Sequence, residues 1–257
     1  MKKKEEAMKP GNRTRKGAED AQKPGNRERK RHKEASAAGS HEQKRQKENS
    51  AAGSREQKRQ RGVSGTEGRE RQVWRGGNML YPVPPVLVSC QRPGEKPNII
   101  TVAWAGTVCS SPAMLSISLR PERYSYDIIR ETGEFVVNLP TRKLVQAVDY
   151  CGVKSGRDVD KFARMGLTVG KASEISAPFI AESPVNLECQ VIQVLELGSH
   201  HMFLANVAAV DVDPEYLDEK GKLELNKAEL ITYSHGEYFA LGKQLGTFGY
   251  SVKRRKY

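Results

Sequence analysis

The sequence predicts a mainly β domain, an antiparallel β-barrel with peripheral helices, preceded by a disordered basic N-terminal tail. The first 78 of the 257 residues contain no Leu, Ile, Phe or Tyr and carry the entire formal net charge of +12. The rest of the chain shows six or more strand-like apolar stretches, most of them separated by turn-forming residues. No helix separates the first three strands, whereas a parallel sheet needs a crossover between neighbours.

The tail, residues 1–73, is built on a 14-residue repeat. KEASAAGSHEQKRQ at 33–46 is followed directly by KENSAAGSREQKRQ at 47–60. The repeat has no apolar face, so it cannot bury enough surface to offset chain entropy and is not a solenoid. Its basic residues are consistent with non-specific contact to nucleic acid. Because Glu alternates with Lys and Arg and aromatic stacking residues are absent, an inert extension, or translated duplicated DNA upstream of the true start, is the favoured explanation.

Residues 74–257 form the predicted domain, and three strands open it. Residues 86–90 are apolar, and a turn rich in Pro and Gly separates them from the β-branched run at 99–105. These two strands are expected to form a hairpin. Residues 113–119 alternate apolar with small polar side chains, which is the period of a half-buried strand.

Helices and long strands alternate in the rest of the domain. Pro121 can open a helix that Gly133 closes, with Tyr124, Ile128 and Ile129 on its apolar face. The remaining predicted elements are a strand at 134–139, a helix capped by Thr141, a polar loop at 152–161, long strands at 185–197 and 202–212, an amphipathic stretch near 223–230 and a Gly-rich C-terminal tail.

Several classes of protein are excluded or disfavoured. No apolar run is long enough to span a membrane, and there is no secretory signal. The four cysteines are far apart and form no CxxC pair, which favours reduced thiols in a cytoplasm over disulfides or a metal site. GxGxxG, GxxxxGK[ST], HExxH and GxSxG motifs are all absent. If the protein is an enzyme, a cofactor is expected to carry the difficult step.

Three segments contain candidate ligand-binding residues. SLRPERYS places Ser118, Arg120, Arg123 and Ser125 at a helix start, where guanidinium groups and free N–H groups can bind phosphate; an ordinary capped helix start is the alternative. SGRDVDKF adds Lys161 on a loop that otherwise resembles any surface loop. NIITVAWAGTVCSSP, at 98–112, lets backbone groups approach a flat ring beside Trp104, or is simply a buried strand and a turn.

In this order, the segments resemble the flavin reductase-like family, whose members, including flavoredoxins, bind FMN in a split β-barrel. The resemblance runs through LYPVPPVLVSC, NIITVAW, CSSP, SISLRPERYSYDIIRETGEFVVNLP, GRDVDKF, GSHHMFLANV and SHGEYFALGKQLGTFGYSV. It covers residues 74–252 and does not include the repeats.

The resemblance implies a set of cofactor-binding residues. The flavin would be lined by the strand that contains Asn98, Thr101, Val102, Ala103 and Trp104, with Cys109 and Ser110 beside its ring or ribityl chain. The phosphate would be held by Ser118, Arg120, Arg123 and Ser125, with Lys161 nearby. His200 would lie near the nicotinamide or the flavin edge and is the possible catalytic residue. No metal is expected.

The function implied is an FMN-dependent oxidoreductase that moves electrons from NADH or NADPH through flavin to a small-molecule or protein acceptor. A homodimer is expected from the resemblance. One alternative is a flavoredoxin-like electron-transfer protein without its own nicotinamide activity. Another is a protein that docks on nucleic acid through the basic tail, with the barrel as scaffold.

Overall fold

A single curled antiparallel sheet of seven strands organises the domain in this computed structural model, which describes residues 70–253. The spatial order is β2-β1-β5-β8-β9-β4-β3, and all neighbours are antiparallel. The strands are β1 Val86–Cys90, β2 Asn98–Val102, β3 Ala105–Ser110, β4 Ala113–Leu119, β5 Glu134–Asn138, β8 Val185–Glu196 and β9 His201–Val212. The predicted mainly β architecture is therefore confirmed, while the predicted disordered tail lies, apart from residues 70–73, outside the described residues.

Two small hairpins and three helices lie around this sheet. The hairpins pair β6 Val169–Gly170 with β7 Phe179–Ile180, and β10 Ile231–Ser234 with β11 Glu237–Ala240. The helices are α1 Tyr124–Thr132, α2 Val145–Val153 and α3 Lys161–Met165, with 3-10 turns at Arg142–Leu144, Pro214–Tyr216, Leu225–Ala228 and Tyr250–Val252. Within residues 70–253, none of the helices has the length and apolar character to cross a membrane.

The single strand predicted at 99–105 is wrong, because the chain forms two strands there. β2 ends at Val102, residues 103 and 104 bend, and β3 begins at Ala105. The two strands occupy opposite edges of the sheet. β3 escaped the sequence pattern because its side chains are small or hydroxylic and mostly exposed, as an edge strand permits.

Two other boundaries differ from expectation. The polar loop predicted at 152–161 is shorter, because α2 continues to Val153 and the Asp160 carboxylate caps α3 by accepting from the Ala163 N–H at 3.1 Å. The Gly-rich C-terminal tail contains half of a hairpin. Its two-residue turn, His235 and Gly236, has φ of 49° and 90°, which is the geometry of tight β-hairpins.

The hydrophobic core consists of two main clusters, which lie on opposite faces of the sheet. One apolar cluster joins α1 to the strands through Ile128, Ile129, Phe135 and Phe203, all of them buried. A second packs α2 and α3 on the other face, around Leu87 and Ile99. The helix predicted from Pro121 begins later, at Tyr124, and ends at Gly133 as expected, with φ of 70°.

Glu188 of β8 is a fully buried charge that the fold satisfies completely. Its carboxylate accepts from the N–H and hydroxyl of Ser173 and from the N–H groups of Glu174 and Ile175, at 2.7–3.0 Å. Burial alone would raise the pKa of Glu188, but these hydrogen bonds outweigh it and hold the pKa below its usual value. The loop at 173–175 is thereby fastened to the sheet.

Asp211 of β9 lies beside this carboxylate and is less well satisfied. Within residues 70–253, its Oδ2 atom is buried without a hydrogen-bond partner, and the same is true of Oδ1 of Asn186, the residue directly opposite on β8. Burial, and after it the neighbouring Glu188, raises the pKa of Asp211 to about 6.

Candidate functional site

A cavity of about 550 Å³ lies between β2, the start of α1, the C-terminal part of α2 and the β10–β11 hairpin. Eight of the thirteen predicted site residues line it: Thr101, Val102, Ala103, Trp104, Ser118, Arg120, Arg123 and His200. Segments far apart in sequence therefore converge on one concave surface, which is the usual form of a small-molecule site.

The edge strand β2 offers backbone hydrogen-bonding groups to this cavity. β2 pairs with β1 on one side only, and the Ile99 carbonyl accepts from a lysine on the other side. Because alternate residues of an antiparallel ladder turn their polar groups to opposite sides, the Thr101 N–H and C=O also face away from β1. The hydroxyl of Thr101 is occupied, since it donates to the Val148 carbonyl of α2.

Arg123 lies where the cavity meets the start of α1. It is the residue preceding the helix, with extended φ and ψ of −76° and 136°, and its guanidinium donates to the Gly152 carbonyl at the end of α2. Gly152 also lets the end of α2 pack closely against β2, because a Cβ there would lie 3.3 Å from the Thr101 Cβ. Arg120 is more exposed and is paired with Glu122 at 3.0 Å.

A second, smaller cavity of about 180 Å³ adjoins the first. Ile100, Glu122 and Arg123 line both. Three further predicted residues, Asn98, Ser125 and Lys161, are found here rather than in the main cavity. The Asn98 amide donates to the Ser125 hydroxyl at 2.7 Å, and both side chains are buried.

Lys161 is a buried cation whose charge is not neutralised by any carboxylate in the described part of the chain. It is 2% exposed, and its ammonium donates to the carbonyls of Ile99 at 2.7 Å and Cys151 at 3.0 Å. Its third N–H takes part in neither of these bonds and can donate to a ligand, because the side chain lines the smaller cavity. Burial lowers the pKa of Lys161 to about 8. An uncompensated buried charge is costly, so this arrangement fits an anionic ligand.

The adjacent histidines face different surroundings. His200 lines the main cavity, with Nδ1 3.0 Å from the Ser199 hydroxyl, and burial, together with Arg120, lowers its pKa. His201 instead contacts the Tyr126 hydroxyl through Nδ1 at 2.7 Å. Residues 70–253 contain no group of three or more potential metal-ligating side chains.

Cys109 and Ser110 line neither of these two cavities, and their expected place beside the flavin stays a prediction. Both lie on β3, which the bend at 103–104 carries to the opposite edge of the sheet from β2. The chain segment that leaves the cavity at Trp104 therefore does not return to it through β3.

Three residues that close the other side of the main cavity were not predicted from the sequence. Tyr81, Tyr233 and Tyr238 line it together with the predicted Trp104, and the four rings are called the aromatic wall below. The Asp149 carboxylate of α2 is beside them and accepts from the Tyr238 hydroxyl at 3.4 Å. The sequence did contain a signal for the hairpin that carries Tyr233 and Tyr238. In TYSHGEYF, residues 232–239, polar and aromatic residues flank a His-Gly turn, which is typical of a hairpin.

Comparison with known proteins places this architecture. The model of the flavin reductase like domain matches residues 78–242. Flavoredoxin of Desulfovibrio vulgaris (Miyazaki F) is 33% identical, with a TM-score of 0.66 over 71% of this chain and all of that one. An uncharacterized protein of Archaeoglobus fulgidus is 33% identical over 145 residues, covering 56% of this chain and 81% of its own length.

A split-barrel domain from Shewanella frigidimarina NCIMB 400 shares the fold at 20% identity, with a TM-score of 0.59 over 65% of this chain and 85% of that one. The curled sheet with two separated edge strands is therefore a split barrel, as the resemblance implied. Since the family model covers the sheet, the helices and both cavities, the chain belongs to the flavin reductase-like family.

Proposed function

We propose that the protein binds FMN and acts as a flavin reductase-type oxidoreductase, moving electrons from NADH or NADPH through the flavin to an acceptor. The observation that carries the proposal is the buried Lys161 ammonium, which faces a small cavity continuous with one of ring-binding size. Membership of the family supports it.

The smaller cavity suits the phosphate of FMN. Lys161 supplies a buried charge, Arg123 supplies a guanidinium between the two cavities, and the start of α1 adds N–H groups. The Asn98–Ser125 pair fixes the floor of the pocket. These groups bind and orient the phosphate end, which determines where the rest of the ligand extends.

The main cavity suits the ring system, and bound FMN would supply the hydride and electron transfer there. The Thr101 backbone groups would hydrogen bond to the polar edge of a planar ring, and Trp104 would pack beside it. His200, kept neutral by its lowered pKa, can accept or donate one hydrogen bond at the cavity rim.

A flavoredoxin-like electron carrier, with no nicotinamide activity of its own, is the second candidate. It is favoured by the similarity to flavoredoxin, which extends over the whole of that chain. Both candidates use the same FMN site and differ in the electron donor.

A symmetric homodimer is also proposed. Val108, Ile192 and Val210, on β3, β8 and β9, are each about half exposed, and such apolar side chains are commonly covered by a second subunit. Light scattering of the purified protein tests the dimer. The possible contact of the basic tail with nucleic acid stays a prediction.

The absorption spectrum of the purified protein, recorded before and after anaerobic NADH and then NADPH, tests the function. A bound-flavin spectrum that either nucleotide bleaches supports the reductase and identifies its donor. A spectrum that only dithionite bleaches supports the electron carrier instead. If no flavin is present and added FMN does not bind, both candidates are wrong.

The variant Arg123→Ala sharpens this test. It should weaken FMN binding about tenfold to a hundredfold, because charge-assisted hydrogen bonds contribute about 1.5–3 kcal/mol each. Arg164→Ala removes an exposed arginine of α3 that lines neither cavity and is the matched control. Equal FMN affinity in the two variants would refute the role given to Arg123.

A further inference from the structure

The aromatic wall is more extensive than a single ring-binding face requires. The Tyr81 ring centroid lies 6.1 Å from those of both Trp104 and Tyr233, and the Tyr233 and Tyr238 centroids are 5.5 Å apart. The rings come from three separate segments: the chain before β1, the bend after β2 and the β10–β11 hairpin. Each is only partly buried although it lies in a concave site.

This arrangement indicates a second planar ligand. Scattered exposed aromatic side chains need no explanation, but contiguous ones lining a cavity mark a binding surface. Aromatic side chains bind planar rings by offset or edge-to-face contacts. Thr101 and Arg123 serve the FMN proposed above, and three tyrosines remain without a role.

The polar groups beside the wall restrict the chemistry of that ligand. The Tyr238 hydroxyl donates to Asp149 over 3.4 Å, a long hydrogen bond that it can exchange for one to a ligand oxygen. The Asp149 carboxylate behind it repels an anion at the same place. Burial and this carboxylate raise the pKa of Tyr238, so the hydroxyl remains a donor.

We propose that the aromatic wall is the acceptor subsite, and that it takes a neutral planar ring carrying carbonyl oxygen, the quinone class. The inference rests on the proposed FMN function. The overall reaction is NADH plus one proton plus quinone, giving NAD⁺ and hydroquinone. The C–H bond of the nicotinamide breaks, two electrons and one proton pass as a hydride equivalent by way of the flavin, and solvent supplies the second proton.

Equilibrium binding of hydroquinone, the product, provides a test without turnover. The FMN-saturated protein is titrated with 1,4-hydroquinone, and the long-wavelength charge-transfer absorbance of a donor ring stacked on oxidised flavin reports its Kd. Tyr81→Leu and Tyr238→Leu should each raise this Kd about three- to tenfold, the size of an aromatic pair contribution. Phe239→Leu is the matched control, since Phe239 neighbours Tyr238 on β11 but is outside the cavity.

The charge preference is tested in the same titration with 4-hydroxybenzoate. Wild-type protein should bind this anion at least tenfold more weakly than hydroquinone, and Asp149→Asn should narrow the difference. If Tyr238→Leu and Phe239→Leu leave the hydroquinone Kd equal while both proteins hold FMN, the acceptor subsite is wrong and the FMN function stands. A protein that binds no FMN at all fails earlier, in the spectrum, and overturns both.

Discussion

Lys161 and Glu188 are two buried charges that the same fold treats in opposite ways. Glu188 has hydrogen bonds from four donors and lines neither of the two cavities described above. Lys161 has two carbonyl acceptors, keeps one N–H, and lines a cavity beside Arg123. A completely satisfied buried charge stabilises the fold, whereas an incompletely satisfied one is costly until a ligand binds. The number of partners therefore separates a structural ion from a binding group.

The largest expected effect is on stability at Glu188. Glu188→Ala should lower the free energy of unfolding by about 3 kcal/mol, because four donors, one of them the N–H of the buried Ile175, lose their acceptor at once. Urea unfolding followed by circular dichroism measures it. Glu174→Ala is the control, since this neighbour binds Glu188 through its N–H and not through its own exposed side chain. A loss below 1 kcal/mol would contradict the structural role.

The next effect concerns ligand binding at Lys161. Lys161→Met should weaken FMN binding about thirtyfold to a hundredfold, corresponding to about 2–3 kcal/mol for a charge-assisted contact. Riboflavin, which lacks the phosphate, should bind the variant and the parent alike. Equilibrium dialysis with both flavins distinguishes a lost phosphate contact from a damaged ring site. Arg164→Met, on the exposed side of α3, serves as the control.

The free energy of unfolding in the same Lys161→Met variant provides a contrast with Glu188. Without ligand, the variant should unfold at an equal or higher urea concentration than the parent, because a desolvated charge is replaced by an apolar side chain of similar length. A large loss of stability would show that Lys161 is structural after all, and the comparison with Glu188 would fail.

The pH dependence of FMN affinity should be smaller but diagnostic. With a pKa of about 8, Lys161 loses its charge above that pH, so FMN affinity should fall as the pH rises through 8. The phosphate becomes a monoanion below its second pKa of about 6, so affinity should also fall there. Titrations from pH 5 to 9.5 test this. Lys161→Met should abolish only the alkaline limb.

The last effect is expected at Asp211. Its pKa in the folded protein is raised to about 6 from 3.8, so the folded state binds the proton more tightly than the unfolded state. The stabilisation is fully present below pH 3.8 and is lost as the pH rises through 6. Asp211→Asn should remove this decline. Thermal melting between pH 4 and 7 compares the slopes, and identical slopes would contradict the assignment.

The sequence predicted what depends on local pattern. The β-branched runs and glycine turns gave the strands β1, β4, β5, β8 and β9 and the end of α1, while Arg123 followed from charge at a helix start. The sequence did not predict the features that depend on pairing between distant segments. β3 has no apolar pattern because it is an exposed edge, and the burial of Lys161 depends on carbonyls from β2 and α2. Likewise, no local pattern places Tyr81 beside Tyr233, 152 positions later in the chain.

That last contact has a consequence for biosynthesis. Val83 pairs with Tyr233, and Tyr81 contacts the Tyr233 ring. The aromatic wall is therefore complete only after the β10–β11 hairpin has been synthesised and has paired with the chain just before β1. During synthesis, the N-terminal part of the chain emerges from the ribosome first. The residues proposed to bind the phosphate, all before position 162, therefore emerge well before the aromatic wall. We expect a nascent chain stalled before residue 230 to recognise the phosphate end of the cofactor but to release it quickly.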